Sequence, residues 1–174
     1  TVMRVARTTE IAARIAQIKA REFQSDMDFV DDTGHWGHGV IDNLFAAGFN
    51  PIGIQFHGPA ISPRYKNKRA EMWIEMSEWV KRGGALPNLP ELIGELTAPT
   101  YFFNNGKLQL EDKDMIKARI GRSPDLADAL ALTFAMPDQP KMETSMHRRN
   151  NRAITEYDPF ATSHAETSYD MFGG

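Results

Sequence analysis

The sequence predicts an α/β fold, and three features carry that prediction. Helix and strand signals alternate along the first half of the chain, from an amphipathic helix at Thr9–Glu22 to a strand ending at Phe56. A glycine-rich turn follows directly on the first strand. A hairpin signal, Asn104-Asn105-Gly106, lies between two short apolar runs in the second half. With 174 residues, 41% hydrophobic and 25% charged, the chain is long enough to bury one sizeable core.

Ile11, Ile15 and Ile18 recur at helical spacing, and Thr8 or Thr9 offers an N-cap for that first helix. Met27 to Asp32 alternates apolar and acidic residues and reads as a short strand, running into glycines at 34, 37 and 39. Val40 to Ala47 is a second helix stopping at Gly48, and Ile52, Ile54 and Phe56 mark one face of the next strand. Strand, helix, strand at this spacing is the pattern of a parallel crossover. A basic loop, 57–69, leads to a helix over Ala70–Arg82, whose Met72, Trp73, Met76 and Trp79 read as core packing. Pro90–Leu96 is a short helix, 101–111 a hairpin and Lys113–Arg119 a charged helix. Ser123-Pro124-Asp125 has the order of an N-cap, a first-position proline and a first-turn acid, opening an apolar helix that runs to Ala135 and is expected to be buried. From residue 137 to 174 periodicity is lost, so the domain is placed at 1–136 with an extended or disordered tail behind it.

Several function classes fall away. No apolar run approaches the roughly 20 residues that cross a bilayer, so no membrane partner is expected. Cysteine is absent, leaving oxygen and imidazole as the metal ligands available. Neither a P-loop nor a Gly-x-Ser-x-Gly elbow is present, which excludes a P-loop ATPase and disfavours acyl transfer. The formal charge of −3 and pI near 5.9 do not mark a dedicated nucleic-acid module, so any such binding must rest on local basic strips.

Two acidic groups are candidates for chemistry. Asp31 and Asp32 end the first strand, where ligands bind in parallel α/β sheets, and alternation sends them to opposite sides. From that segment alone, a solvated strand-end turn is the preferred reading. Asp125 and Asp128 lie three apart on the last helix, hence on one face. Asp125 is explained by the helix dipole, whereas Asp128 sits at the rim of an apolar stretch, where a carboxylate requires a cation or donors. The five histidines invite a zinc site, but His35 and His38 lie on the glycine loop without cysteine partners and read as loop residues facing water or DNA. Arg64, Lys66, Lys68 and Arg69, with Tyr65 among them, form a basic strip suited to phosphates, though most such runs are simply solvated.

Taken together, FVDDTGHWGHGVIDNL (29–44), GIQFHGPA (53–60), KRAEMWIEMSEWVKRGGALP (68–87) and LQLEDKDMIKARIGRSPDLADALALTFA (108–135) resemble the C-terminal nuclease domain of the bacteriophage terminase large subunit. The resemblance runs from about Ile11 to Ala135. It implies a ribonuclease H-like mixed sheet flanked by helices, here lacking its first β-hairpin strands. It also implies a two-ion Mg²⁺ or Mn²⁺ site that cuts double-stranded, concatemeric DNA during viral genome packaging. Of the family's acids, it assigns a strand-end acid to Asp31 and a last-helix acid to Asp128, with Asp125 assisting. An acid expected on a hairpin before Thr1 has no match in the chain, so alone it is expected to bind metal weakly and cut poorly. Lys66, Lys68 and Arg69 are the expected DNA contacts. The implied partners are DNA, the portal protein and the small terminase subunit, in the host cytoplasm, and the N-terminal ATPase domain of the family is not in this chain. A non-catalytic docking module for portal or small terminase is the alternative. A Holliday-junction resolvase suits the acids but not the sequence blocks.

Overall fold

In a computed structural model the chain is described over residues 7–21 and 25–137. The expected tail lies outside the described residues, apart from Pro137. The elements run α1 (Thr8–Arg21), β1 (Phe29–Asp31), α2 (His38–Ala46), β2 (Ile52–Ile54), α3 (Lys68–Lys81), α4 (Pro90–Thr97), β3 (Tyr101–Asn104), β4 (Lys107–Leu110), α5 (Lys113–Ile120) and α6 (Asp125–Leu132). The α/β alternation predicted from periodicity is therefore present, with the first strand shorter than its apolar–acidic pattern extends.

β1 and β2 pair in parallel, Phe29 with Ile52 and Asp31 with Ile54, and α2 forms the crossover between them. β3 and β4 form the hairpin around Asn105 and Gly106, both at positive φ, as a tight turn between twisted strands demands. Among the described residues the strands thus fall into two separate pairs, not one continuous mixed sheet. A parallel bridge between Tyr65 and Leu108 fastens the basic loop to the hairpin: Lys66 N donates to Leu108 O (2.9 Å) and Leu108 N to Arg64 O (2.8 Å).

The main core lies between α3, α4, α6 and the parallel pair, with Met72, Trp73, Met76, Leu92, Ile54 and Phe56 buried. A smaller cluster of Ala12, Val40 and Leu44 joins α1 to α2. The α6 segment is not buried all round. Ala127, Ala131 and Ala135 recur every four residues and are shut in, while Ala129 is exposed. Methyl-sized side chains on that face let α6 lie close against α3 and α4.

Two helix starts differ from expectation. α1 begins at Thr8, so Arg7 precedes it, and the Arg7 amide donates to Glu10 Oε2 (3.1 Å). At α6 the N-cap is Pro124, which has no side-chain acceptor, and Ser123 stands outside. The acceptor comes from α4 instead: Glu95 Oε2 receives the amides of Leu126 (2.8 Å) and Ala127 (3.0 Å), and Glu95 Oε1 pairs with Arg122 (3.2 Å). A buried carboxylate thus satisfies the orphan donors of a helix 31 residues away.

Candidate active site

A cleft of about 290 Å³ opens at the carboxyl end of the parallel strands. The end of β1 contributes Asp31, Thr33 and Trp36; the segment after β2 contributes Phe56 and His57. The start of α3 adds Asn67 and Arg69, the end of β4 adds Gln109 and Leu110, and the start of α5 adds Asp112 and Lys113. Such a crevice beyond strand C-termini is where a parallel sheet takes ligands, because loops converge there and helix starts point inward.

Asp31 is exposed and stiffened by its neighbour. The amide of Thr33 donates to Asp31 Oδ1 (2.9 Å), as does the Thr33 hydroxyl (2.5 Å). That hydroxyl also accepts from the amide of Phe56 (3.1 Å), tying the ends of both strands together. Asp32, one residue on, is buried on the other side, as strand alternation requires. Burial pushes its carboxyl up, but the hydrogen bond and charge of His38, the charge of His35 and the Gly37 amide outweigh burial and hold its pKa below the usual range. The same contact raises the pKa of His38.

The turn after Asp31 depends on Gly37. Its φ of −79° suits any residue, so conformational freedom is not the reason for glycine here. The reason is contact: a Cβ at Gly37 would stand 2.4 Å from the carbonyl oxygen of Asp31 and 3.0 Å from Val30 Cγ1. Gly37→Ala should therefore displace the strand end that carries Asp31, costing about 1–3 kcal/mol. A urea unfolding midpoint indistinguishable from wild type would refute this.

Asp128 belongs to α6, which packs on β1. Its side chain is 6% exposed. Trp73 Nε1 donates to Oδ1 (2.9 Å), Arg69 Nε stands 3.8 Å from Oδ1, and Lys113 Nζ stands 2.7 Å from Oδ2. The Lys113 contact is ionic without hydrogen-bond alignment, since Oδ2 is buried with no hydrogen-bond partner. Because α6 starts only at Asp125, Asp128 falls within its first turn and shares the helix dipole that the sequence reading reserved for Asp125. The Asp125 side chain is 79% exposed and lies 4.0 Å from Lys113 Nζ.

The basic strip is divided by burial. Lys66 is exposed. Lys68 is not presented to solvent as a phosphate contact would need: its ammonium is buried against Glu71 Oε2 (2.7 Å). Glu71 in turn accepts the amides of Ile61 (3.0 Å) and Ser62 (2.7 Å), so the pair staples the basic loop to α3. Arg69 lies in the cleft wall, its guanidinium over the Trp73 ring and its Nη1 donating to Glu111 O (2.9 Å). Burial depresses its pKa, opposed by the charges of Asp128, Asp112 and Glu111. Its Nε and Nη2 are buried with no hydrogen-bond partner.

Three solved neighbours give this arrangement a context. A point mutant of the nuclease domain of the large terminase subunit of bacterial virus Sf6, with manganese and beta-thujaplicinol, superposes with a TM-score of 0.58 at 21% identity. The superposition covers 77% of this chain and 75% of that one. The unmodified Sf6 domain gives 0.58 at 23% identity, covering 75% and 73%, and the mutant with calcium gives 0.58 at 22%, covering 74% and 73%. The fold is that of a terminase nuclease domain. It is the ribonuclease H-like class that the sequence blocks implied. No protein-family model matches the chain, and neither does any curated protein.

Within the terminase nuclease fold, sequence reasoning missed several roles at and beside the cleft. Asp112, a further carboxylate in the cleft, looked like one acid among many in a charged helix start. Trp73 had the helical spacing of core and is core, yet its indole N–H also holds Asp128. Lys113 read as the start of a charged helix, and only the fold sets it against Asp128. Trp36, whose place on a glycine loop already set it apart from the core tryptophans, is 87% exposed at the cleft rim with its ring beside Gly34.

Proposed function

We propose that the chain is the nuclease domain of a DNA-packaging terminase and hydrolyses phosphodiester bonds of double-stranded DNA with divalent cations held in this cleft. One observation carries the reading. Arg69, which lines the cleft, has two buried guanidinium nitrogens without acceptors, Nε and Nη2, and Asp128 beside it has a buried carboxylate oxygen without a hydrogen bond, Oδ2. A carboxylate oxygen met only by the movable, partly exposed Lys113, beside a guanidinium with donors to spare, supports a site for a cation-bound phosphate.

The donor set fits hard, oxygen-seeking ions such as Mg²⁺ or Mn²⁺. Asp31 and Asp128 would hold them, Asp112 lines the same cleft, and Asp125, exposed and 4.0 Å from Lys113 Nζ, would assist. Bound there, the ions would supply an activated water and charge stabilisation for the leaving oxygen. The chain's own residues do the rest. Arg69 offers its free donors to a phosphate oxygen, and Trp73 fixes the Asp128 carboxylate through Oδ1. Thr33 fixes Asp31 through Oδ1, leaving Oδ2 for the cleft. Lys113 balances Asp128 and, being partly exposed on a flexible stem, is free to swing toward phosphate. Lys66 is the remaining surface contact from the basic strip. Packaging in the host cytoplasm, with portal and small terminase as partners, belongs to the same reading. Among the described residues no helix is long and apolar enough to cross a membrane.

The test is Mn²⁺ titration by calorimetry together with cleavage of supercoiled plasmid by the full 174-residue chain. A saturable Mn²⁺ site and slow, Mn²⁺-dependent cutting are expected, both lost in Asp31→Asn. Cutting is expected to fall at least about 100-fold, the scale of several kcal/mol of charge stabilisation. One observation favours the docking alternative: Tyr101, Phe102 and Phe103 are all exposed on the hairpin. A chain that neither binds Mn²⁺ saturably nor cuts would leave that alternative standing and remove the nuclease.

A further inference from the structure

The turn after β1 contains a second set of ligating groups, on the opposite side of the strand end from Asp31. Asp32, His35 and His38 follow one another at intervals of three residues, and their ligand atoms all lie within 4.8 Å of one another. His38 Nδ1 stands 2.7 Å from Asp32 Oδ1, and His35 Nδ1 stands 3.7 Å from Oδ2. Each carboxylate oxygen is thus faced by a different imidazole nitrogen. The two rings meet edge to face, with centroids 4.7 Å apart.

From this geometry we infer that Asp32, His35 and His38 form a binding site for a zinc-class divalent cation, distinct from the carboxylate cleft. Two imidazoles and one carboxylate without thiolate suit Zn²⁺ and its borderline neighbours, where the cleft's oxygen-only set suits Mg²⁺ or Mn²⁺. Bonds of about 2.0–2.2 Å in a tetrahedron set ligand atoms about 3.4 Å apart. One ligand atom from each residue lies within 4.8 Å of the other two, so rotation of the two largely exposed rings by about an ångström closes the set around one ion and leaves a fourth position for water.

Hydrogen bonding alone does not account for the arrangement. Asp32 already accepts from His38 and from Gln55 Nε2 (3.1 Å), and His35 at 3.7 Å is beyond hydrogen-bond reach. Yet His35 holds its ring there from a left-handed backbone, φ +66°, which costs a non-glycine residue about 1 kcal/mol or more. The Gln55 contact orients the buried carboxylate in the way outer partners of metal ligands do. A cation at this point would pin the turn whose ends carry Asp31 and Trp36. The inference does not rest on nuclease activity.

Titration of the untagged full chain with Co²⁺, in millimolar Mg²⁺ to fill oxygen-donor sites, tests it. Visible absorption of tetrahedral intensity should saturate at one equivalent and be displaced by Zn²⁺. The double substitution His35→Ala, His38→Ala should weaken Co²⁺ binding at least about 100-fold while circular dichroism shows the fold retained, since both rings are largely exposed. His57, His147 and His164 remain in that variant, so binding that survives in it belongs elsewhere and overturns the site. No saturable band in the wild type overturns it too. Asp128→Asn should keep the Co²⁺ band, and its loss there would place the ion in the cleft and sink the proposal, whatever the result of the cleavage assay.

Discussion

Asp128→Asn should yield a folded protein that has lost its Mn²⁺ site and at least about 100-fold in cutting, whereas Asp128→Ala should lose more stability besides. The contrast follows from what each replacement leaves behind. Asparagine keeps an oxygen for the Trp73 indole N–H, which otherwise sits buried without an acceptor. It removes the negative charge that Lys113 and Arg69 now face at 2.7 and 3.8 Å. Both replacements leave Arg69 with less compensation than its burial needs, and alanine in addition strands the Trp73 donor, so it loses more stability. Lys113 is partly exposed and turns to water, so the cost of Asp128→Ala is set near the lower end for broken buried pairs, about 2–4 kcal/mol. Chemical unfolding and plasmid cleavage on the two variants separate the roles. Equal loss of stability in both would show that the carboxylate serves packing alone, and full cutting by Asp128→Asn would remove it from the site.

Glu95→Ala should be among the most damaging single substitutions to the fold, at about 3–5 kcal/mol. Glu95 is 2% exposed, yet it is acceptor to two main-chain amides at the start of α6 and partner to Arg122. Pro124 at the N-cap has no side chain to replace it, so truncation leaves two donors buried and unmet. Against a total stability of typically 5–15 kcal/mol, that loss lowers the thermal midpoint by about 10 °C or more. Because α6 carries Asp128, Mn²⁺ affinity should fall with it. Glu95→Gln retains one acceptor oxygen and should lose about half as much. A thermal midpoint for Glu95→Ala within a degree or two of wild type would show that water reaches these amides and that the cap is dispensable.

Much of the molecule was readable before any coordinate. Apolar spacing marked α1, α3 and α4 to within a residue or two, because a helix face buried on one side must repeat every three to four residues. Asn105-Gly106 marked the hairpin turn, because left-handed backbone excludes most other residues. Alternation also separated Asp31 from Asp32 correctly, a local property of any strand.

What the sequence by itself determined, then, was local: which segments coil or extend, which faces are apolar, and that carboxylates stand at a strand end and on the last helix. Only the tertiary structure decided which charges are met. Lys68 and Arg69 are adjacent in a basic strip, yet one is sealed against Glu71 and the other lies in the cleft wall beside Asp128. The α6 cap comes from Glu95, 31 positions away, and Lys113 reaches Asp128 across a separate helix. The His35–His38 pair becomes a ligand set only once the turn folds Asp32 beneath it. The physical reason is common to all of these: hydrogen-bond and ion-pair partners are chosen by proximity in space, and charge in a chain becomes costly or useful only when burial removes water from it.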